Sequence, residues 1–555
     1  MKTDIEIAQE VELRKIVDVA KDLNLNEDDI DLYGKYKAKL NSSILDKEDK
    51  KGDVILVTAI TPTKAGEGKT TVSIGLAEAL RKLNKNVCLA LREPSLGPVM
   101  GLKGGATGGG YSQVLPMEDI NFHFTGDMHA ITAANNLVSA VIDNEIYFES
   151  PLNIDPENVV WQRCLDVNDR SLREVEVGMG SKFNGVERKD NFRITVATEL
   201  MAIFCLSKDF KDLENRLNNA LVAYDKNGKE IYLRDLNITG SLMILLKEAF
   251  KPNLVQTVEG GPAIIHGGPF ANIAHGCNSI MATTYARHLS DIVVTEAGFG
   301  ADLGCEKFLD IKSRITGIEP KIVVLVATIR ALKMHGGEDI DHLQEENVPA
   351  LMKGLENLER HIETIKNFNM RYIIAINKFF KDTDNEIKAL EDYLNEKGYP
   401  FELSDIFSKG GSGGIELAKH TLKIMEEKPV NKLKFLYERE DSIKDKILKI
   451  CQKAYGAKDV EYSKLAEEKI KMFEEKGYSN LLVCMAKTQN SVTDDAKVLN
   501  APKDFTIHVK NVSVSLGAGF IVVYTGKIIT MPGLPVDPAC KHMGIDEDGK
   551  SYGIF

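Results

Sequence analysis

From about residue 52 to residue 330 the chain alternates short β-branched runs with stretches of helical spacing and glycine-rich turns. The runs are "DVILVTAI", "NVCLALR", "DIVVTEAG" and "KIVVLVAT". Such runs between helices predict a parallel sheet covered by helices on both faces. A further run, "RYIIAINKF", follows the helically spaced "VPALMKGLENLERHIETIKNF"; it either extends the first sheet or opens a second unit. From about 380 to 476 Lys and Glu recur at helical spacing, as on solvated helix faces. The C-terminal "FTIHVKNVSVSLGAGFIVVYTGKIITMPGLP" alternates like strands broken by turns. The start, "MKTDIEIAQEVELRKIVDVAKDL", is acidic and amphipathic and reads as a surface helix.

The predicted organisation is an α/β fold, a parallel sheet with helices on both faces plus two smaller α/β domains. The expected spans are 1–360 for the domain of the large sheet, 361–455 for a second α/β domain and 456–555 for a small C-terminal one.

Composition narrows the classes. A chain of 555 residues exceeds one ordinary core. Hydrophobic residues are 43% and charged residues 27%, near soluble averages, and no segment approaches the roughly 18 uninterrupted apolar residues of a membrane helix. The net charge of −12, with Lys and Arg interspersed among acids, argues against nucleic acid as a partner. The start lacks the pattern of a secretory signal, and the eight scattered cysteines form no C-x-x-C pair. Buried free thiols in a reducing cytoplasm fit this usage best.

"TPTKAGEGKTT", residues 61–71, follows the run "VILVTAI" and resembles a phosphate-binding loop with Thr63 where the first glycine of G-x-x-x-x-G-K-[ST] belongs. A strand, a glycine turn and a helix starting near Lys69 aim backbone N–H groups at one point, which favours an anion. Lys69 adds a charge for phosphate oxygens and Thr70 a hydroxyl for Mg2+. Thr63, Lys64, Ala65, Gly66, Glu67, Gly68, Lys69 and Thr70 are therefore the candidate ATP-binding residues, and the expected fold is a P-loop NTPase-like parallel sheet with helices on both faces, with 1–360 as the nucleotide-binding domain. ATP is favoured over GTP because "AINKFFKDTDNE" offers Asn377 and Lys378 but has Phe380 where a guanine-reading Asp is needed.

"LREPSLGP" places Arg92 and Glu93 at the carboxyl end of a strand, the edge where open α/β sheets bind ligands. Six glycines in the ten residues 101–110 suggest a mobile loop over a ligand. "HFTGDMHAI" gathers His123, Asp127 and His129, read as polar groups orienting a substrate because zinc spacing is lacking. His266 and His275 in "IIHGGPFANIAHGCNS" are open to a structural or a functional reading. Glu296 ends a strand before a glycine turn and could support Mg2+ or line the nucleotide site.

These motifs, with "NNLVSAVIDN", "KPNLVQT", "VVTEAGFGADLGCEKF", "ALKMHGG", "LVCMAKTQNSVTDD" and "TMPGLP", occur in an order that resembles formate-tetrahydrofolate ligase from about residue 8 to the C-terminus. The resemblance implies ligation of formate to N10 of tetrahydrofolate, giving 10-formyltetrahydrofolate, ADP and phosphate through formyl phosphate. It implies Lys69 and Arg92 as catalytic residues, and Glu93, Asp127, Phe299, Phe379 and Phe407 at the folate. It also implies ATP with Mg2+, a monovalent cation (K+ or NH4+) and a cytoplasmic homotetramer. Phe407 in "IFSKGGSGG" stands where the family has Trp, the chain's only Trp being Trp161, and Asn490 stands where Tyr is expected. The alternative from another class is a P-loop ATPase of the switch or partitioning type.

Overall fold

The computed structural model describes residues 2–63, 66–101, 107–428, 431–526 and 528–554. Ten strands form the path of the central sheet. They are β1 (Ile30–Leu32), β2 (Ala38–Leu40), β3 (Asp53–Ala59), β4 (Val87–Leu91), β5 (Asn253–Thr257), β6 (Pro262–Ile265), β7 (Ile292–Gly300), β8 (Pro320–Ala327), β9 (Tyr372–Asn377) and β10 (Phe401–Ser404). Their spatial order is β1-β2-β5-β6-β4-β7-β3-β8-β9-β10. The seven from β6 to β10 run parallel to one another, and β1, β2 and β5 complete one edge in antiparallel fashion.

Alternation along β3 shows why this sheet needs two covers. Val54 and Leu56 join one apolar cluster while Ile55, Val57 and Ala59 join another, so successive side chains enter cores on opposite faces. Among the covering helices are α1 (Lys69–Lys82), α2 (Asp127–Tyr147), α3 (Ile280–Leu289), α4 (Ile329–His335), α5 (Val348–Asn367) and α6 (Ile415–Glu426). On one face Val72, Ile74, Leu76, Ala79 and Leu80 of α1 pack with Leu417 and Ala418 of α6. On the other, α2, α3 and α5 bury residues such as Ile131, Val138, Ile280, Leu355 and Ile362. Each fully buried side chain of this size contributes about 1.5–3 kcal/mol relative to exposure.

Two expectations are corrected. The boundary at residue 360 falls inside α5, and β9 and β10, which follow it, hydrogen-bond into the same sheet as β3. A continuous helix and a continuous ladder leave no linker there. The N-terminal helix is two short ones, Asp4–Glu10 and Ile16–Lys21. Between them Val11 and Leu13 leave helical register to pack beside Ile5, Leu115 and Met117, and the Arg14 N–H donates to Gln256 Oε1.

The C-terminal residues form a three-stranded sheet of Leu482–Ala486, Phe520–Tyr524 and Asn511–Ser515 with helices such as Lys464–Glu475 beside it. No described helix is long and apolar enough to cross a membrane. The cysteines are free, and all but Cys540 are buried.

Candidate active site

Parallel strands in register bring their carboxyl ends to one edge, and β4, β7 and β3 are adjacent there. The loop after β3 ends at Gly68, which has φ of 73° and caps α1. A side chain there would meet both a left-handed backbone and the Asn377 amide, 2.5 Å from where a Cβ would sit. Lys69 and Thr70 open α1, so their backbone N–H groups stand at the positive end of its dipole. Thr70 Oγ1 donates to Glu296 Oε2 at 2.8 Å, and Arg92 Nη2 lies 3.5 Å from Glu296 Oε1. A buried carboxylate midway along β7 thus joins the first turn of α1 to the arginine that follows β4.

The loop is braced from behind. The Thr63 N–H donates to Glu67 Oε1 at 2.6 Å, and Thr328 donates to Glu67 Oε2. Asn377 Nδ2 donates to the Glu67 carbonyl at 3.0 Å, and Arg330 to the Gly66 carbonyl. The Glu67 side chain therefore points into the protein and shapes the loop. Lys64 and Ala65 lie outside the described residues. Further back, His361 Nε2 and Thr61 Oγ1 are 2.9 Å apart, and Asn357 Nδ2 donates to the same hydroxyl. Burial lowers the His361 pKa from 6.5 to about 4, so this imidazole is neutral near pH 7.

Around this centre stand the other candidates. Phe299 is half-buried with φ of 59°, a left-handed conformation that costs a bulky residue about 1–3 kcal/mol and that accumulates at functional sites. It follows Gly298, where a Cβ would come 2.9 Å from Arg92 Nη1. Phe379, past the end of β9, is half-buried under the Arg330 guanidinium, 3.9 Å from its ring centre. Phe407 follows β10, the neighbouring strand; its carbonyl accepts from the Tyr111 N–H at 2.9 Å. The glycine-rich segment docks here, and a Cβ on Gly110 would fall 2.1 Å from that carbonyl. Residues 102–106 of the segment lie outside the described residues.

Glu93 is buried, and its Oε2 has no hydrogen-bond partner among the described residues. Burial, then the neighbouring Asp127 charge, raises its pKa well above the usual carboxylate range. Asp127 faces inward: both its oxygens accept from Lys39 Nζ, at 2.6 and 2.8 Å, and Asn253 also donates to it. His123 and His129 share a hydrogen bond of 2.7 Å with each other. No group of three or more metal-ligating side chains occurs among the described residues. His266 has both ring nitrogens engaged, with Ser279 Oγ and the Ala249 carbonyl. His275 is fully buried with neither nitrogen partnered among the described residues. Trp161 is buried elsewhere, donating to the Asn135 carbonyl. An open cleft of about 510 Å3, lined by Lys366, Tyr372 and His420 among others, lies at the opposite end of β9 and touches none of these groups.

Sequence reasoning singled out Lys69, Thr70, Arg92 and Glu296, and the structure brings Thr70, Arg92 and Glu296 together beside Lys69. It passed over Thr328, Arg330 and His361. The first two follow β8 at the same sheet edge as Arg92 follows β4, so position after a strand is a signal that could have found them.

The sequence model of the family described as formate–tetrahydrofolate ligase matches residues 2–555. Together with an α/β fold whose candidate residues converge at the carboxyl edge of a mostly parallel sheet, this whole-chain match places the protein in the formate–tetrahydrofolate ligase family.

Proposed function

We propose that this ligase works in two steps: formate attacks the γ-phosphorus of ATP with loss of ADP, and N10 of tetrahydrofolate then attacks the formyl carbon of formyl phosphate. The amine loses a proton, phosphate departs and 10-formyltetrahydrofolate remains. The observation that carries this reading is the convergence of Thr70, Glu296 and Arg92 beside the start of α1. Formate is a poor electrophile because its carboxylate carries a full negative charge, so it needs a leaving group. Forming that group brings two anions together, which calls for cations on both sides.

Residues 63–70 would cradle the triphosphate with backbone N–H groups, and Lys69 would follow the transferring phosphoryl group. Arg92 would hold formyl phosphate in its planar fork, two donors to two oxygens. The Thr70 hydroxyl and the Glu296 carboxylate are hard oxygen donors 2.8 Å apart, a pair that fits Mg2+. When bound there, Mg2+ would neutralise phosphate charge. A monovalent cation, K+ or NH4+, also belongs to this reading. Phe379 and Phe407 would flank the pterin, with Phe299 and Glu93 nearby and Asp127 behind Glu93. A cytoplasmic homotetramer completes the reading.

The test is phosphate release from Mg-ATP, with methenyl product read spectrophotometrically on acidification. Release that requires both formate and tetrahydrofolate, matched by product, supports the reading. Release without either substrate, and without product, overturns it in favour of a switch-type ATPase.

A further inference from the structure

Arg330 touches two parts of the site that no covalent path joins closely. It is the second residue of α4, two residues after Thr328, whose hydroxyl accepts from the Ala331 N–H and donates to Glu67. Its guanidinium donates to the Gly66 carbonyl of the loop and lies 3.9 Å from the centre of the Phe379 ring. Its Nε is buried and has no acceptor among the described residues, leaving one donor in reserve between loop and ring. Phe379 is otherwise held by its own backbone, its N–H donating to Asp382 Oδ2 at 2.8 Å.

We propose that Arg330 is a positioning residue that couples the nucleotide loop to the aromatic wall of the folate site, so that each substrate raises affinity for the other. The proposal rests on the two-substrate reading given above. A guanidinium is planar, permanently charged and weakly hydrated, so it can stack on a ring and donate in its own plane at once. Gly66 precedes the braced Glu67, and its carbonyl moves with the loop. When phosphate fixes the loop it fixes the carbonyl, the carbonyl fixes the guanidinium, and the guanidinium fixes the ring against which a pterin stacks. A ring already held loses less freedom on binding, and linkage requires the effect to be equal in both directions.

The test is a binding square on the whole protein, with Mg2+ and a non-hydrolysable ATP analogue as one ligand and tetrahydrofolate as the other. Wild-type protein should bind each ligand about tenfold more tightly in the presence of the other, within the usual range of coupled sites. Arg330→Gln should bring both factors close to one while the analogue alone binds within about threefold of wild type and the melting temperature holds. Arg330→Lys, which keeps charge without the plane, should retain part of the factor. Phe379→Leu, which removes the ring, should abolish the coupling by an independent route, and adding Arg330→Gln to it should change the factor no further. Full coupling in Arg330→Gln overturns the proposal, as does an equal loss of folate affinity with and without nucleotide. Wild-type protein that binds both ligands independently overturns the proposal alone; wild-type protein that binds neither overturns the functional reading and the proposal with it.

Discussion

Thr70 and Glu296 lie 226 residues apart in sequence and share a 2.8 Å hydrogen bond, from a hydroxyl in the first turn of α1 to a carboxylate midway along β7. The bond exists because β3 and β7 are adjacent and parallel, with Glu296 opposite Val57 in register. Glu296 is also buried, with only 1% of its side chain exposed, so its charge acts in a medium where little water screens it.

Glu296→Gln keeps an oxygen to accept from Thr70 and removes the charge. If the pair holds Mg2+, the concentration of Mg2+ needed for half-maximal activity should rise by about tenfold or more, and turnover should fall by about a hundredfold. A titration of activity against Mg2+ checks this. An unchanged Mg2+ dependence with a lowered melting temperature would show that Glu296 serves only as a partner for Arg92.

If Lys69 follows the transferring phosphoryl group as proposed, Lys69→Ala should slow turnover by about a hundredfold or more. Near-normal turnover in this variant would sink the phosphate-loop reading.

Arg92→Lys should remain impaired by at least about tenfold in kcat, since the ammonium cannot form two parallel bonds to one phosphate. Steady-state rates on folded protein decide it; a wild-type rate would leave Arg92 as an ion-pair residue.

The parts of this site that were legible in the sequence are those whose signal is local. Gly68, Lys69 and Thr70 sit within one strand-turn-helix unit, and Arg92 directly follows an apolar run. The supports were hidden because they act across the fold. Asn377 first drew attention as half of an absent guanine reader, yet its amide donates to Glu67, 310 residues away. Arg330 reaches Gly66 across 264 residues. Neither pairing leaves a spacing rule, since the strand order that creates it is not written in any one segment. The boundary at residue 360 failed for the same reason: the Lys and Glu pattern after it marks solvated faces, and these occur equally on helices covering an existing sheet.

His361 gives a pH prediction. Its pKa falls from 6.5 to about 4 in the folded protein, chiefly through burial. Between those values the unfolded chain binds a proton that the folded chain refuses, so stability rises with pH across the window and is lost as pH falls through it. The full effect is on the order of 3 kcal/mol. Buried acids such as Asp166, raised to about 6, act in the opposite sense, so the informative quantity is the difference between two proteins. His361→Gln can retain the bond to Thr61 without titrating. Denaturant midpoints at pH 7.5 and pH 5 should fall further for wild type than for this variant; equal falls would show that His361 is not buried as neutral imidazole.

Phe407 stands where the sequence resemblance leads one to expect Trp. The sequence suggests that Phe407→Trp should tighten folate binding if the pocket has room, because an indole covers more of a pterin than a phenyl ring does. The structure limits that room, since Phe407 Cε2 lies only 3.2 Å from where a Cβ on Gly109 would stand. A larger ring in the same orientation presses on the glycine segment, so Phe407→Trp should improve the folate KM only if that segment yields. Phe407→Ala removes both a stacking face and a seat for Gly109 and Gly110. Stacking of bases on aromatic rings is worth about 1–3 kcal/mol, so the folate KM should rise roughly tenfold while the ATP KM changes little. Gly110→Ala separates the two roles. Its φ of 57° and the 2.1 Å approach of its Cβ to the Phe407 carbonyl would unseat the segment while leaving the ring in place. If stacking dominates, Gly110→Ala should cost the folate KM much less than Phe407→Ala does. Equal losses would mean that Phe407 acts mainly as an anchor for the glycine segment, and a loss confined to ATP would place the folate elsewhere.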